Sequence, residues 1–141
     1  MNQQTKAAVE EISRRLNDDD FLYYCEEQCE LLKKNDLTGD SIDPLIRLFE
    51  NNPFVDFGVP GPIVHFIEKF GREKYESILV ESIRRRPTAH TVWMLNRIIN
   101  VSSQTDKITY LELFKAIVQR EDIDNETKDS AIDFLKYHNY S

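Results

Sequence analysis

The sequence predicts an all-α protein, and three observations support this fold class. Apolar residues recur at the three- and four-residue spacings of amphipathic helices along nearly the whole chain. The 141 residues include only four glycines and five prolines, few for a sheet protein with many turns. The run 54–57 is the one candidate strand, and it is too short to found a sheet. A chain of this length predicts a single domain over residues 1–141.

Four helices are predicted in the first half of the chain, and each has a local signal for its start or its end. They are expected at 3–17, 20–35, 43–52 and 62–70. Three consecutive aspartates at 18–20 are N-cap candidates for the second helix. Asp43 followed by Pro44 predicts the start of the third. The apolar, proline-rich segment 53–62 precedes the fourth, and we expect it to be pinned onto the core or to form a contact surface.

Four further helices are predicted in the second half. They are expected at 72–86, 88–101, 106–120 and 124–138. Pro87 opens the sixth helix of the chain, and Asp124 is the expected N-cap of the eighth. The arginines at 84–86 fall at a helix C-terminus, where the helix dipole favours cations, so we interpret them as a solvated helix end.

The last six helices are predicted to form three antiparallel pairs with short connections. The expected pairs are 43–52 with 62–70, 72–86 with 87–101, and 106–120 with 124–138. A period of roughly 35 to 40 residues is typical of HEAT-like α-solenoids. The sequence similarity between the pairs is weak, so a compact irregular helical bundle is the alternative.

The charge of the chain is negative and unevenly distributed. The net charge is −7, with −7 over residues 1–60, +3 over 61–105 and −3 over 106–141. An acidic N-terminal half repels phosphates, so we expect no nucleic-acid partner. The same charge favours encounter with a basic protein partner.

Partner-binding residues are therefore predicted mainly among the acids of the first half. Only Lys33 and Lys34 oppose the acidic residues between positions 18 and 43, although a plain solvated face is the simpler interpretation. Trp93 and Arg97 are added because tryptophan and arginine are frequent interface hot spots. The predicted set is Asp18, Asp19, Asp20, Glu26, Glu27, Glu30, Asp56, Trp93 and Arg97.

Two asparagines in the sixth helix are predicted to be structural. Asn96 and Asn100 are four residues apart and share a helix face, one turn after Trp93. Asparagine forms helices poorly because its amide competes for backbone hydrogen bonds. We expect these amides to bond neighbouring helix ends or loop backbone, such as that of the 53–62 loop. The alternative places Trp93, Asn96, Arg97 and Asn100 on a concave face that contacts a partner.

No constellation in the sequence predicts catalysis, a cofactor or a metal site. His65 and Glu68 lie three apart on one helix, so a small hydrolase or transferase using this pair is the enzymatic alternative. The known zinc, serine-nucleophile and phosphate-loop motifs are absent, and we expect His65 to be a partly buried structural residue. Cys25 and Cys29 are expected to be reduced thiols, half-buried in the second helix.

Two segments carry a resemblance to a known family. Gly-Pro-Ile-Val-His-Phe-Ile-Glu at 61–68 and Arg-Pro-Thr-Ala-His-Thr-Val-Trp-Met-Leu-Asn-Arg-Ile-Ile-Asn at 86–100 resemble small bacterial immunity proteins of polymorphic or contact-dependent growth inhibition systems. The resemblance covers residues 53–101. It implies an acidic, non-enzymatic protein that binds and neutralises a toxin domain, often a basic nuclease.

Cytoplasmic localisation is expected, without a membrane partner. No apolar run approaches the ~20 residues needed to cross a bilayer, and the first residues lack the apolar core of a signal peptide. The alternative to an immunity protein is a HEAT-like adaptor that holds a peptide or helix of a partner protein. The sequence leaves the oligomeric state open.

Overall fold

The computed structural model describes all residues from Met1 to Ser141 and contains eight α-helices and no strand. The helices are α1 (Gln3–Arg14), α2 (Phe21–Asn35), α3 (Ile42–Asn51), α4 (Gly61–Glu68), α5 (Arg72–Arg85), α6 (Ala89–Asn100), α7 (Gln104–Val118) and α8 (Asn125–Tyr137). The all-α prediction is confirmed. The longest helices have 15 residues, and none combines the length and apolar character of a bilayer-crossing segment.

The chain divides into two compact units, Met1–Ile78 and Leu79–Ser141, with the boundary inside α5. Each unit has buried apolar side chains of its own. The principal contacts are mostly between helices one or two positions apart along the chain.

In the N-terminal unit, α1 packs against α2 and α3, and α4 packs against α2. The predicted pairing of 43–52 with 62–70 is wrong, because α3 and α4 are not among the principal contacting pairs. The reason is visible in α2, whose buried stripe of Cys25, Cys29 and Leu32 follows helical spacing. Four apolar side chains of α4 are buried as well: Ile63, Val64, Phe66 and Ile67. Apolar periodicity predicts that a helix has a buried face but not which helix covers it.

The two cysteines of α2 are free thiols and are more deeply buried than predicted. Cys25 is 1% exposed and Cys29 is 2% exposed. A hydrogen bond with Cys29, followed by burial, raises the pKa of the Cys25 thiol well above its usual value. The protonated Cys25 thiol is a poor nucleophile and metal ligand. Because both cysteines are buried, they act as small apolar core residues.

The start of α3 differs from the prediction by one residue. The helix begins at Ile42 rather than at Asp43 and Pro44. The buried Asp36 carboxylate accepts hydrogen bonds from backbone N–H groups of residues 39 to 41, with N···O distances of 2.9–3.0 Å. This turn orders the backbone before the helix, so no cap from Asp43 is needed.

In the C-terminal unit, α6, α7 and α8 pack against one another, which confirms the predicted pairing of 106–120 with 124–138. Thr88 and Thr91 form a reciprocal capping box at the start of α6. Asp124 caps α8 as predicted, because its carboxylate accepts the Thr127 N–H at 2.9 Å. Ser103 caps α7, which therefore begins two residues earlier than expected.

Candidate functional site: an acidic groove lined by aromatic rings

A groove of about 490 Å³ lies between the α1–α2 turn and the loop after α3. It brings together four carboxylates that the sequence predicts to bind a partner, Asp18, Asp19, Asp20 and Asp56. The remaining lining residues are Leu16, Asn17, Phe21, Leu22, Tyr23, Phe54 and Val55. We call this site the acidic groove.

The α1–α2 turn is a hydrogen-bonded structure that holds the three consecutive aspartates. The Asp18 N–H donates to the Arg15 carbonyl at 3.0 Å, and the Phe21 N–H donates to the Asp18 carbonyl at 3.1 Å. Phe21 is buried and fixes the end of the turn. Asp20 occupies the N-cap position of α2, but its side chain makes no capping bond. The carboxylate of Asp20 is therefore left exposed to solvent.

Of the three aspartates in the turn, only Asp18 has a cationic side chain of the same chain as its partner. Arg15 binds Glu11 at 2.6 Å and reaches Asp18 at 3.3 Å. Asp19 and Asp20 are exposed and form no such pair within the chain. The electrostatic potential of the groove is thus dominated by carboxylates, with one cation at its edge.

The loop after α3 is anchored by Phe57, which is 2% exposed. Its ring packs edge-on against Phe49 and Phe21, with centroid distances of 4.7 and 5.7 Å. Gly58 follows with φ +90°, and a Cβ there would lie 2.5 Å from a backbone carbon across the loop. The Gly58 N–H donates to the Asp56 carboxylate at 2.9 Å, which positions that carboxylate at the groove. The buried ring of Phe57 thus attaches segment 53–62 to the core, which is one of the two arrangements that the sequence predicts.

Two large aromatic side chains of the groove are exposed. Phe54 is 71% exposed and Tyr23 is 65% exposed. The charge of Glu27, and a hydrogen bond to it, raise the pKa of the Tyr23 hydroxyl above its usual value, so the phenol remains protonated. Aromatic faces and carboxylates both attract cations, and exposed aromatic rings are frequent at protein interfaces. The groove is suited chemically to a basic side chain.

The predicted acids of α2 extend the negative surface but do not line the groove. Glu26, Glu27 and Glu30 are all exposed. Glu30 binds Lys33 at 2.6 Å, and this hydrogen bond lowers the pKa of the Glu30 carboxyl. Glu30 is therefore partly neutralised within the chain, and Glu26 and Glu27 carry more of the uncompensated charge.

The predicted residues of α6 lie in the C-terminal unit, where the chain supplies their partners. Trp93 and Arg97 are both half-buried, and the Arg97 guanidinium lies 5.1 Å from the centre of the Trp93 ring. Asn96 is 8% exposed, and its Oδ1 lies 2.8 Å from His138 Nε2 at the end of α8. Asn100 is exposed at the last position of α6, away from this contact. Asn96 thus has the contact with a neighbouring helix end that the sequence predicts for both asparagines.

The hydrogen bond between Asn96 and His138 defines the protonation of the imidazole. The carboxamide Oδ1 can only accept, so Nε2 of His138 carries the proton. Burial, and then the positive charge of Lys107, lower the pKa of His138 below its usual value. His138 is therefore neutral at pH 7 and acts as a hydrogen-bond donor to α6.

The burial predicted for His65 is wrong, because the side chain is exposed. The buried residues of α4 lie on both sides of position 65 in the sequence, and His65 falls on the helix face they leave uncovered. Neither His65 nor Glu68 lines the acidic groove. No group of three or more His, Cys, Asp or Glu residues is placed to hold a metal ion.

Sequence reasoning missed Tyr23 and Phe54 as site residues. The signal for Tyr23 is its position in α2, off the stripe formed by Phe21, Cys25 and Cys29. The signal for Phe54 is weaker, since the sequence predicts only that some part of 53–62 serves as a contact surface. Which ring of that segment is buried and which is exposed depends on the packing of Phe57.

Comparison with family models, curated proteins and solved structures finds no match to this chain. The resemblance of residues 53–101 to immunity proteins therefore stays a prediction.

Proposed function

We propose that this chain is an immunity protein that binds a basic toxin domain in the bacterial cytosol and occludes its active site. The observation that carries the proposal is the acidic groove, where four carboxylates and two exposed aromatic rings meet. Together they form a surface that a cationic protein complements both in charge and in apolar area.

The charge of the chain supports a basic partner. Residues 1–60 carry a net charge of −7, and the acidic groove lies within this segment. A field of one sign speeds the encounter with an oppositely charged protein and is screened by salt. Asp19 and Asp20 have no cation of their own, so a partner's lysine or arginine would replace water rather than an existing ion pair.

The exposed rings support an interface rather than a merely solvated acidic face. Tyr23 and Phe54 offer large apolar area beside the carboxylates, and Leu22 adjoins them with 38% exposure. Burial of aromatic side chains at the centre of an interface accounts for much of the binding energy in typical complexes. The carboxylates would then set orientation and association rate.

The proposal includes a fold and a mode of action. A HEAT-like arrangement is supported by the packing of α7 against α8, the one predicted helix pair among the principal contacts. The buried cysteines and the solvent-exposed His65 offer no assembled catalytic group, which supports inhibition by binding alone.

The decisive experiment co-expresses the chain with the toxin domain encoded by the adjacent gene and measures complex formation and cell survival. The test variant is the double substitution Asp19→Lys with Asp20→Lys. The matched control, Asp129→Lys with Asp133→Lys, reverses two exposed acids on α8. We expect the test variant to weaken binding at least about tenfold and to lose protection, because like charges would then face the basic partner.

Two outcomes would overturn the proposal. The first is a wild-type chain that forms no complex and gives no protection. The second is an equal loss of binding in the test and control variants, which would place the interface elsewhere. Binding of basic peptides without any protection would favour the HEAT-like adaptor instead.

A further inference from the structure

A second pocket, of about 310 Å³, lies in the N-terminal unit between the end of α2 and α4. Its lining residues are Lys33, Asp36, Leu37, Phe66, Lys69 and Phe70. The volume is at the lower end of the range of about 300–1,000 Å³ that is typical of small-molecule sites. We call it the α2–α4 pocket.

The floor of the α2–α4 pocket is aromatic. Phe66 is 2% exposed, and its ring lies 5.2 Å from that of Phe70 at an interplanar angle of 83°. Phe70 is half-buried, so part of its ring remains accessible. Phe70 therefore offers an apolar surface to a ligand, and the buried ring of Phe66 packs against it.

Leu37, at the rim of the pocket, is an apolar residue exposed to solvent. Leu37 is 79% exposed, in the turn between α2 and α3. The Asp36 carboxylate orders this turn by accepting bonds from three backbone N–H groups and from the Ser41 hydroxyl. Because Leu37 is exposed on an ordered turn, its apolar side chain can cover a ligand at little entropic cost.

Two lysines line the pocket, and only one of them has a salt-bridge partner within the chain. Lys33 binds Glu30 at 2.6 Å, whereas Lys69 has no carboxylate within salt-bridge distance. The close approach of the Lys33 side chain, and then its positive charge, lower the pKa of Lys69. Asp36 lines the pocket, but its oxygens already accept four hydrogen bonds from the turn. Glu30 pairs with Lys33 and acts on Lys69 only through its charge, so Lys69 is the cation of the pocket without a direct anionic partner.

We propose that the α2–α4 pocket binds a small amphipathic carboxylate. The apolar or aromatic body of the ligand lies against Phe66, Phe70 and Leu37. Its carboxylate lies between the ammonium groups of Lys33 and Lys69. This site takes an anion, whereas the acidic groove takes a cation, so the two sites are chemically independent.

The test is a titration of the full-length protein with 4-phenylbutyrate, followed by amide chemical shifts in NMR spectra. The uncharged 4-phenylbutyramide and the cationic 4-phenylbutylamine serve as ligand controls. We expect saturable shifts centred on Leu37, Gly39 and Phe70, with weaker binding of both control ligands and of the acid at high salt.

Variants separate the lysines of the pocket from a general effect of positive charge. Lys69→Gln and Lys33→Gln should each raise the Kd for 4-phenylbutyrate about two- to fivefold, the range expected for one exposed ion pair. Lys34→Gln is the matched control, since Lys34 is the exposed neighbour of Lys33 and does not line the pocket. Its Kd should equal that of the wild type. Leu37→Ser, at an exposed position, should weaken binding without loss of helical circular dichroism.

Three results would overturn this proposal: no saturation up to the solubility limit of the acid, equal affinity for the acid and its amide, or equal effects of Lys34→Gln and Lys69→Gln. None of them bears on the acidic groove, so the proposed partner binding would stand or fall separately.

Discussion

The acidic groove and helix α6 both combine an aromatic residue with charge, yet they differ in where the opposite charge comes from. In α6, Arg97 lies over Trp93 within the same helix. In the groove, Tyr23 and Phe54 lie beside carboxylates, and the one paired cation, Arg15, is directed to Asp18 and to the ring of Tyr24. A site whose partner is supplied by the chain contributes to stability. A site without such a partner is available for binding.

The largest expected effect on stability concerns Phe57, the buried residue that anchors the loop of the acidic groove. Phe57→Ala should lower the free energy of unfolding by about 3–5 kcal/mol, because a fully buried ring between Phe49 and Phe21 is removed. Denaturant unfolding measures the change. Phe54→Ala is the control, since that exposed ring should alter stability by less than about 0.5 kcal/mol. Equal losses in the two variants would contradict the distinction between anchor and binding surface.

The next effect concerns the hydrogen bond that ties α6 to α8. Asn96→Ala should lower the free energy of unfolding by about 1–2 kcal/mol, because the His138 Nε2–H loses its acceptor in a part-buried site. Thermal or urea unfolding at pH 7.5 measures the loss. Asn100→Ala, at an exposed position of the same helix, should have little effect.

The same contact predicts a pH dependence. The pKa of His138 is lower in the folded chain than its ordinary value of 6.5, so the unfolded chain binds more protons near that pH. The contribution to stability is complete above pH 6.5 and decreases as the pH falls from there towards the folded pKa. Unfolding experiments between pH 7.5 and 5 should show this decrease, and His138→Gln should reduce it. An unchanged pH profile in His138→Gln would contradict the assignment of this pH dependence to His138.

A smaller effect on stability is expected when Arg97, whose guanidinium lies over the Trp93 ring, is replaced. Arg97→Ala should lower stability by about 0.5–1 kcal/mol through the lost cation–π contact and should leave partner binding unchanged. Unfolding curves and a binding assay on the same preparation separate the two readouts. Loss of binding with unchanged stability would show that Arg97 contacts the partner, as the sequence predicts.

The smallest effect on stability is expected in the groove itself. Asp19→Asn with Asp20→Asn should leave the free energy of unfolding within about 0.5 kcal/mol of the wild type, since neither carboxylate is paired. Relief of repulsion among the acids could make the variant slightly more stable. Binding of a basic partner should nevertheless weaken. A clear loss of stability would show that the aspartates are structural. It would contradict the distinction between the acidic groove as a binding surface and α6 as a stabilising contact.

Much of the fold follows from local signals in the sequence. Apolar periodicity places all eight helices, and Asp124 and the capping box at Thr88 act where the chain predicts a helix start. These signals work because helix formation depends on residues within one or two turns of each other. The acidic character of the first half is likewise a property of composition.

Only the tertiary structure decided which surfaces these helices share. Asp56 joins the aspartates at 18–20 because Phe57 packs its loop against Phe21 of α2 as well as Phe49 of α3. Asn96 likewise contacts a histidine 42 positions away. His65 is exposed although its neighbours on both sides are buried. Such contacts depend on which helix covers which apolar face, a choice made by packing across the whole unit rather than by any local pattern.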